Sequence, residues 1–272
     1  MIFTFQSDSA QYIYHYTSAE IAISKVIGEG KLKFGSYVNT NDPKETKDWV
    51  FIAGTNEGRD LLKYTPEYLA ATMNPRIKET TNVLCFTSDQ KLSGNLIHDM
   101  PKRGFCMPRM WAQYADKHRG VCLLFDFKIL SDVIHELLKN RTYFCDYVTY
   151  RDRDIAEIQM DQAFIVNVDY LERLGADEYA YSHSQKFTKR MFFEKASDWR
   201  DENEFRWVVF NCDGEFLVDY KEALKGVVFG ADCSEDDISK IANASKGKSM
   251  EFQRLKWRNC APWFDFGRTE WI

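Results

Sequence analysis

The sequence predicts an α+β fold, in which a mixed, largely antiparallel sheet carries inserted helices. Short runs of β-branched and aromatic residues recur along the chain, and amphipathic helical segments separate them at irregular intervals. The regular strand–helix alternation of a parallel α/β protein does not occur, and neither do the Gly-x-Gly-x-x-Gly and Walker motifs. The sequence therefore argues against a Rossmann or P-loop enzyme.

Size and composition indicate one well-packed domain. With 272 residues, of which 44% are hydrophobic and 15% aromatic, the chain can bury a sizeable core. We expect a single domain over residues 1–272, with its main part at about 12–230 and a C-terminal strand–helix–strand extension at about 231–272. The net charge of −5 disfavours non-specific binding to nucleic acid through overall charge, although it leaves room for a local basic groove.

The sequence carries no sign of a membrane segment or of a zinc site. The first eight residues contain neither a basic segment nor a long apolar run, so no signal peptide is expected, and no segment approaches the ~20 apolar residues of a membrane span. The cytoplasm is the default location. The seven cysteines are scattered singly without Cys-x-x-Cys spacing, so we predict no zinc site and expect reduced core cysteines.

The first predicted elements are a strand at residues 12–17 and a helix that follows it directly. Thr17-Ser-Ala-Glu20 fits a capping box, with Thr17 as the N-cap and Glu20 reaching back to it. His15 thereby stands just before a helix N-terminus, where backbone N–H groups and the helix dipole favour anions. The same residues also fit a plain cap beside a partly buried histidine, and both interpretations stay open here.

The later elements follow from periodicity and from helix-start and helix-stop residues. Asp42 and Pro43 indicate a helix start, and Pro108 and Gly120 bracket a further helix. Residues 91–103 are predicted to form a loop, long enough to be a lid or a flexible insert. Predicted strands lie at 32–38, 81–88, 121–127, 143–150, 215–219, 226–229 and 249–257, and predicted helices lie up to about 79 and at 107–120, 129–138, 152–174, 177–196 and 236–244.

The strongest chemical signal lies in residues 194–210, where a charged helix end passes into a strand. Alternation places Glu204 and Arg206 on one face of this strand and only apolar, core-forming residues on the other. An acid and an arginine two residues apart on a strand share a side, so both can point into one cleft. Glu202 joins them if the strand begins early enough. The pattern fits a salt-bridged strand start as well as an active-site edge.

Several islands of sequence occur in an order that matches one bacterial family. The islands are His15-Tyr-Thr17, Asn41-Asp-Pro43, Leu84-Cys-Phe-Thr87, Met110-Trp-Ala-Gln-Tyr-Ala115 with Gly120, and Lys195 to Trp199 with Glu202-x-Glu204-x-Arg206. Their order and spacing, from about residue 12 to residue 230, resemble the domain of unknown function 2971 family.

The islands also carry a more distant resemblance. A histidine–x–threonine strand that leads into a helix, followed far downstream by a glutamate at a strand start, is similar to the ADP-ribosyltransferase fold and to the DarT-type toxins that modify DNA. The resemblance implies NAD as the cofactor, with Glu204 as the catalytic acid, Glu202 as its competitor and Arg206 beside them. It implies a cofactor-binding set in which Tyr114 stacks near the nicotinamide, made of His15, Tyr16, Thr17, Asn41, Trp111 and Tyr114. Tyr114 stands on a predicted helix, where the family pattern has a strand.

The implied enzyme would transfer ADP-ribose from NAD to a nucleic acid or a protein, as a bacterial toxin, effector or phage-defence component. A buried carboxylate would stabilise the positive charge that develops on the ribose and take a proton from the incoming nucleophile. Arg206 would contact the pyrophosphate bidentately. On this hypothesis Glu204→Gln would keep the fold and lose most turnover.

Two other classes of function remain open. The first is a non-catalytic module, whose cleft binds a ligand or a protein and whose acid–arginine strand is structural. The second is a hydrolase or nuclease that holds a divalent metal on Asp201, Glu202 and Glu204. Geometry separates the classes, because the transferase needs His15, Glu204 and an aromatic residue in one pocket. The acceptor and the oligomeric state leave no mark in the sequence.

Overall fold

The computed structural model describes residues 11–259 and 261–263, in which strands and helices follow one another without a fixed repeat. The strands are β1 (Tyr12–Thr17), β2 (Lys31–Ser36), β3 (Ile52–Gly54), β4 (Asn82–Ser88), β5 (Val121–Asp126), β6 (Tyr143–Tyr147), β7 (Thr149–Tyr150), β8 (Ile165–Asn167), β9 (Glu194–Lys195), β10 (Glu204–Val209), β11 (Phe216–Asp219), β12 (Leu224–Phe229), β13 (Glu251–Arg254), β14 (Lys256–Arg258) and β15 (Ala261–Trp263).

The helices are mostly short. The α-helices are α1 (Ala19–Ile21), α2 (Pro43–Thr46), α3 (Pro66–Asn74), α4 (Leu96–Asp99), α5 (Pro108–Tyr114), α6 (Phe127–Leu138), α7 (Ile155–Gln159), α8 (Val168–Leu174), α9 (Ala176–Lys186), α10 (Thr188–Phe192) and α11 (Glu235–Ala244). Turns of π-helix occupy Ala22–Ile27 and Pro75–Glu79, and turns of 3-10 helix occupy Tyr37–Asn39, Met100–Lys102, Gln162–Phe164 and Ser197–Glu202.

Some predictions fall on residues 1–10, 260 and 264–272, which lie outside the described residues. They include the prediction about a signal peptide and the seventh cysteine, Cys260. The other six cysteines are free, and four of them are buried, as expected for reduced core residues. Within the described ranges, no helix is long and apolar enough to cross a membrane.

Nine strands form the main sheet, which confirms the predicted α+β class with a mixed, mostly antiparallel sheet. The strand order is β11-β2-β4-β1-β5-β12-β13, while β10 pairs with β4 and β6 pairs with β10. Among the pairs of this sheet, β12 and β13 alone run parallel, and α11 lies between them in the chain. The C-terminal strand–helix–strand segment therefore extends the main sheet.

Strand β4 has three partner strands, and this arrangement splits the sheet. β10 pairs with β4 from Asn82 to Thr87 and so occupies one complete edge. β2 pairs only with Asn82 and Val83, whereas β1 pairs only with Thr87 and Ser88. Since both must use the other edge of β4, they diverge beside residues 84–86. We call this opening the fork.

The alternation predicted for β10 is confirmed, and it follows from packing on both faces of the strand. Phe205 and Trp207 belong to the largest core cluster, which also holds the buried stripe of α6. Val208 and Phe210 belong to a second cluster on the opposite face. The predicted helix start at Asp42 is also confirmed, because its side chain accepts a hydrogen bond from the backbone of Lys44.

Two predicted helices differ from the observed ones at their ends. The first helix begins one residue later than predicted, because Ser18 is its N-cap and accepts a hydrogen bond from the Ile21 N–H at 3.2 Å. Thr17 remains in β1. The helix predicted at 107–120 ends at Tyr114, because residues 116–118 adopt positive φ angles that no α-helix accommodates.

The prediction of one helix at 152–174 is wrong. This stretch forms α7, a 3-10 turn, the short strand β8 and α8. β8 pairs in parallel with β3, from Ile52↔Ile165 to Gly54↔Asn167. The β-branched residues Ile165 and Val166 thus follow their strand propensity. Local periodicity could not reveal this strand, because its partner β3 lies far away in the chain.

The turn after α5 packs tightly against Gly230, which gives a first prediction. A Cβ at this position would lie 2.0 Å from the carbonyl oxygen of His118. We expect Gly230→Ala to lower the free energy of unfolding by about 1–3 kcal/mol, since the backbone must shift. Urea denaturation measures this change. Gly35→Ala is the matched control, because its Cβ would come no nearer than 3.9 Å to a neighbouring atom, the Glu215 Oε1. Equal losses in the two variants would contradict the expectation.

Candidate functional site

A cavity of about 350 Å³ opens at the fork, where β1 and β2 diverge from β4. Its walls come from these three strands, from the turn at residues 39–45, from α5 and from residues 195–206. Its volume lies at the lower end of the range of about 300–1,000 Å³ that is typical of small-molecule sites. The cavity is therefore large enough to enclose part of a cofactor-sized ligand.

The cavity collects most of the residues that the sequence analysis singled out. Seven of the nine predicted site residues line it: His15, Tyr16, Asn41, Tyr114, Glu202, Glu204 and Arg206. The other two, Thr17 and Trp111, do not line it. These seven come from β1, the turn before α2, α5 and the 202–206 segment, so the fold brings together groups that are far apart in the chain.

Thr17 and Trp111, which were predicted to contact the cofactor, are buried and do not line the cavity. Trp111 is fully buried in a core cluster, and its indole N–H donates to the Phe105 carbonyl at 2.8 Å. Its ring also contacts that of Tyr16 edge-on, with centroids 5.1 Å apart. Thr17 is buried at the far end of β1, next to Gly120. Both side chains are therefore buried away from the cavity lining.

Arg206 forms the floor of the site, with a side chain only 1% exposed. Its Nε and Nη2 donate to the two oxygens of Glu204 at 2.6 and 2.8 Å, which makes a bidentate pair. Its Nη1 donates to Glu45 Oε1 at 2.6 Å and to the Phe192 carbonyl at 3.0 Å. All three guanidinium nitrogens are thus engaged within the protein. The predicted contact of Arg206 with a pyrophosphate does not fit this arrangement.

Lys195 joins the two acids that compete for the catalytic role. Its Nζ lies 2.7 Å from Glu202 Oε2 and 2.8 Å from Glu204 Oε2, and its side chain is 6% exposed. Burial by itself would lower the pKa of Lys195, but the attraction of Glu204 and the other carboxylates raises it well above its usual value. Lys195 is therefore a permanent cation held between two carboxylates.

Glu202 and Glu204 differ in how completely their charge is compensated. Burial would raise the pKa of Glu204, but the attraction of Arg206 and Lys195 outweighs it and holds that pKa well below its usual range. In Glu202 burial dominates and raises the pKa, although Lys195 opposes the rise. The Tyr114 hydroxyl donates to Glu202 Oε1 at 2.6 Å. Glu202 is consequently the more basic of the two acids, and the one in contact with the aromatic residue of the cavity.

Glu202 reaches the cavity by a route that the alternating pattern does not predict. β10 begins only at Glu204, so Glu202 lies at the end of a 3-10 turn. Asn203 between them is left-handed, with φ of 41°. Its side-chain amide donates to the carbonyls of Ser88 and Asp89 at 3.0 and 2.8 Å, which fixes this conformation. Both acids therefore face the same cavity.

His15 occupies the fork itself. Its Nδ1 lies 3.1 Å from the carbonyl oxygen of Cys85, on the part of the β4 edge that neither β1 nor β2 covers. A carbonyl only accepts hydrogen bonds, so Nδ1 carries the hydrogen. Burial lowers the pKa of His15, although the bond to Cys85 opposes the effect. The neutral ring leaves Nε2 as a hydrogen-bond acceptor beside the cavity.

Three charged residues that line the cavity were missed by the sequence analysis, namely Lys33, Glu45 and Lys195. Lys195 stands in one of the quoted islands, and that was the only signal of its importance. Glu45 lines the cavity and pairs with Arg206, but its position after Asp42 and Pro43 was fully explained by helix capping. A residue can serve a helix start and a site at once, and the local pattern reveals only the first.

The metal-dependent alternative gains no support from this geometry. Among the described residues, no group of three or more His, Cys, Asp or Glu side chains is placed to hold a metal ion. The Lys195 ammonium lies between Glu202 and Glu204, in the position that a shared cation would need. Asp201, the third proposed ligand, is exposed.

Fold and site together define an α+β protein with a buried ion-pair network at the floor of a cavity. Residues 110–207 match the family described as Protein of unknown function (DUF2971), which confirms the predicted family assignment. The matched range includes Tyr114, Lys195, Glu202 and Arg206 and leaves out β1 with His15. No curated protein and no solved structure matches the chain.

Proposed function

We propose that this protein is an NAD-dependent ADP-ribosyltransferase, with Glu202 as its catalytic acid. The observation that carries the proposal is the convergence of His15, Tyr114 and Glu202 on one cavity. A histidine, an aromatic ring and an acid from three distant segments are what a transferase site requires, whereas a purely structural ion network needs no such convergence. The acceptor in this proposal is a nucleic acid or a protein, and the setting is a bacterial toxin or phage-defence system.

The residues present suit one half of NAD. The cavity has the size for a ring and a ribose rather than for a whole dinucleotide, so the adenosine half would lie outside it. His15 and Tyr114 would hold the nicotinamide nucleoside. NAD itself supplies the activated ADP-ribosyl group. Because four of the five N–H donors of Arg206 are engaged with Glu204, Glu45 and Phe192, this arginine supports the acids instead of binding phosphate bidentately.

The charged and aromatic residues of the cavity then have distinct roles. Glu202, whose pKa is raised by burial, is a better proton acceptor for an incoming nucleophile than Glu204. Tyr114 donates to one oxygen of Glu202 and Lys195 donates to the other, so the carboxylate is held in one orientation. Glu204 is a positioning residue, since it anchors both Lys195 and Arg206.

The first test is NAD binding by calorimetry together with nicotinamide release. We expect binding and release by the wild type, and about tenfold weaker NAD binding by His15→Ala, which loses a hydrogen bond to the ligand. His135→Ala is the matched control, because His135 is exposed and does not line the cavity. A folded wild-type protein that binds no NAD would overturn the proposal.

A second candidate is a non-catalytic ligand- or protein-binding module. It is favoured by the closed ion network, in which both oxygens of Glu204 and both oxygens of Glu202 already accept hydrogen bonds from protein donors. The same assay decides between the two. NAD binding without nicotinamide release, in the presence of protein and nucleic-acid acceptors, would favour the module.

A further inference from the structure

The buried network leaves one carboxylate oxygen without a partner. Glu45 is 2% exposed, and its Oε1 accepts a hydrogen bond from Arg206. Its Oε2 is buried and has no hydrogen-bond partner. Glu45 also lines the cavity. A buried carboxylate oxygen without a donor is costly, so a positive charge in the adjoining cavity is favoured.

The charges around the cavity point in the same direction. Three of the buried side chains that line it are carboxylates (Glu45, Glu202 and Glu204) and two are cations (Lys195 and Arg206), so the buried part of the lining has one negative charge in excess when all are ionised. Lys33 also lines the cavity, but its exposed ammonium is paired with Glu215 at 2.9 Å. Two further lysines lie near Glu45 but bind elsewhere. Lys78 donates to the backbone carbonyls of Glu45 and Lys47, and Lys44 binds Glu194.

We propose that Glu45 makes the cavity selective for a ligand ring that carries a positive charge. The choice of ligand rests on the proposed function. If the ligand is NAD, Glu45 favours its cationic nicotinamide ring over the neutral ring of NADH. Carboxylates attract a cation much more strongly in a partly desolvated cavity than in water. Glu45 is then a specificity-determining residue, distinct from Glu202, which acts on the proton.

The experiment compares two small rings that differ in charge. Wild type and Glu45→Gln are titrated with 1-methylnicotinamide, which is cationic, and with nicotinamide, which is neutral, and binding is followed by NMR. We expect the wild type to prefer the cation by about tenfold and Glu45→Gln to lose most of this preference. Glutamine keeps the oxygen that accepts from Arg206. Glu29→Gln, which removes an exposed acid paired with Lys25, is expected to keep the preference.

Several outcomes would overturn the inference. Equal affinity of the wild type for the two rings would do so, as would binding of neither ring, or a preference that survives in Glu45→Gln. If Glu45→Gln does not fold, the affinities of the wild type for NAD and NADH are compared instead. Equal affinities of the wild type for NAD and NADH would also overturn the inference. Nicotinamide release, measured in parallel, separates the two proposals: release without a charge preference removes only the role of Glu45, and a charge preference without release removes only the transferase.

Discussion

Replacing Arg206 by methionine is expected to lower the free energy of unfolding by about 3–5 kcal/mol. Arg206 is buried, and its three nitrogens donate hydrogen bonds that link Glu204 with Glu45. Methionine fills much of the same volume but leaves these two carboxylates with Lys195 alone for charge compensation. An uncompensated buried charge costs far more than the loss of a surface ion pair, and this difference gives the prediction its size.

Urea denaturation of two further variants tests the cause of that loss. Arg119→Met removes an arginine that is 61% exposed and paired with Asp116, so we expect a change within about 0.5 kcal/mol. Combining Arg206→Met with Glu204→Gln and Glu45→Gln removes the orphaned charges, and it should recover part of the lost stability. Two outcomes would show that charge compensation does not hold the network together. One is a loss of unfolding free energy in Arg206→Met that is no larger than in Arg119→Met. The other is a triple variant that is less stable than Arg206→Met alone.

The parts of the fold that sequence could predict are those set by local periodicity. The faces of β10 follow from the two-residue repeat of a strand, so Glu204 and Arg206 were correctly placed on one side and Trp207 on the other. The fork could not be predicted, because it depends on which strands share the edge of β4. Strand pairing between segments far apart in the chain leaves no local pattern.

The same distinction explains what was found and missed in the site. His15 was singled out by its place at the end of a strand, but its hydrogen bond to Cys85 exists only because β1 and β2 part at that residue. Lys195 lies between two acids only because the 3-10 turn that follows it folds back and a left-handed Asn203 redirects the chain. Such a turn conformation is stabilised by contacts with β4 rather than by its own residue types.

The two acids of the site should respond differently to the same substitution. We expect Glu202→Gln to lower nicotinamide release by about 10²–10⁴-fold, because the amide cannot accept the proton of the nucleophile. Its cost in stability should be smaller than that of Glu204→Gln, since Glu202 contacts one cation and Glu204 contacts two. For Glu204→Gln we expect a loss of about 3–5 kcal/mol in the free energy of unfolding, because Arg206 and Lys195 lose their shared anion.

This expectation replaces the one drawn from sequence alone, in which Glu204→Gln kept the fold and lost turnover. The measurement pairs nicotinamide release at saturating NAD with urea denaturation of each variant, so that lost activity is compared only between folded samples. Full turnover in a folded Glu202→Gln protein would return the catalytic role to Glu204. Glu202 is favoured because less of its negative charge is neutralised by neighbouring cations. Glu204 is bound to both an arginine and a lysine, which makes it a weak base. Glu202 keeps a raised pKa in the same cavity, and the Tyr114 hydroxyl orients it.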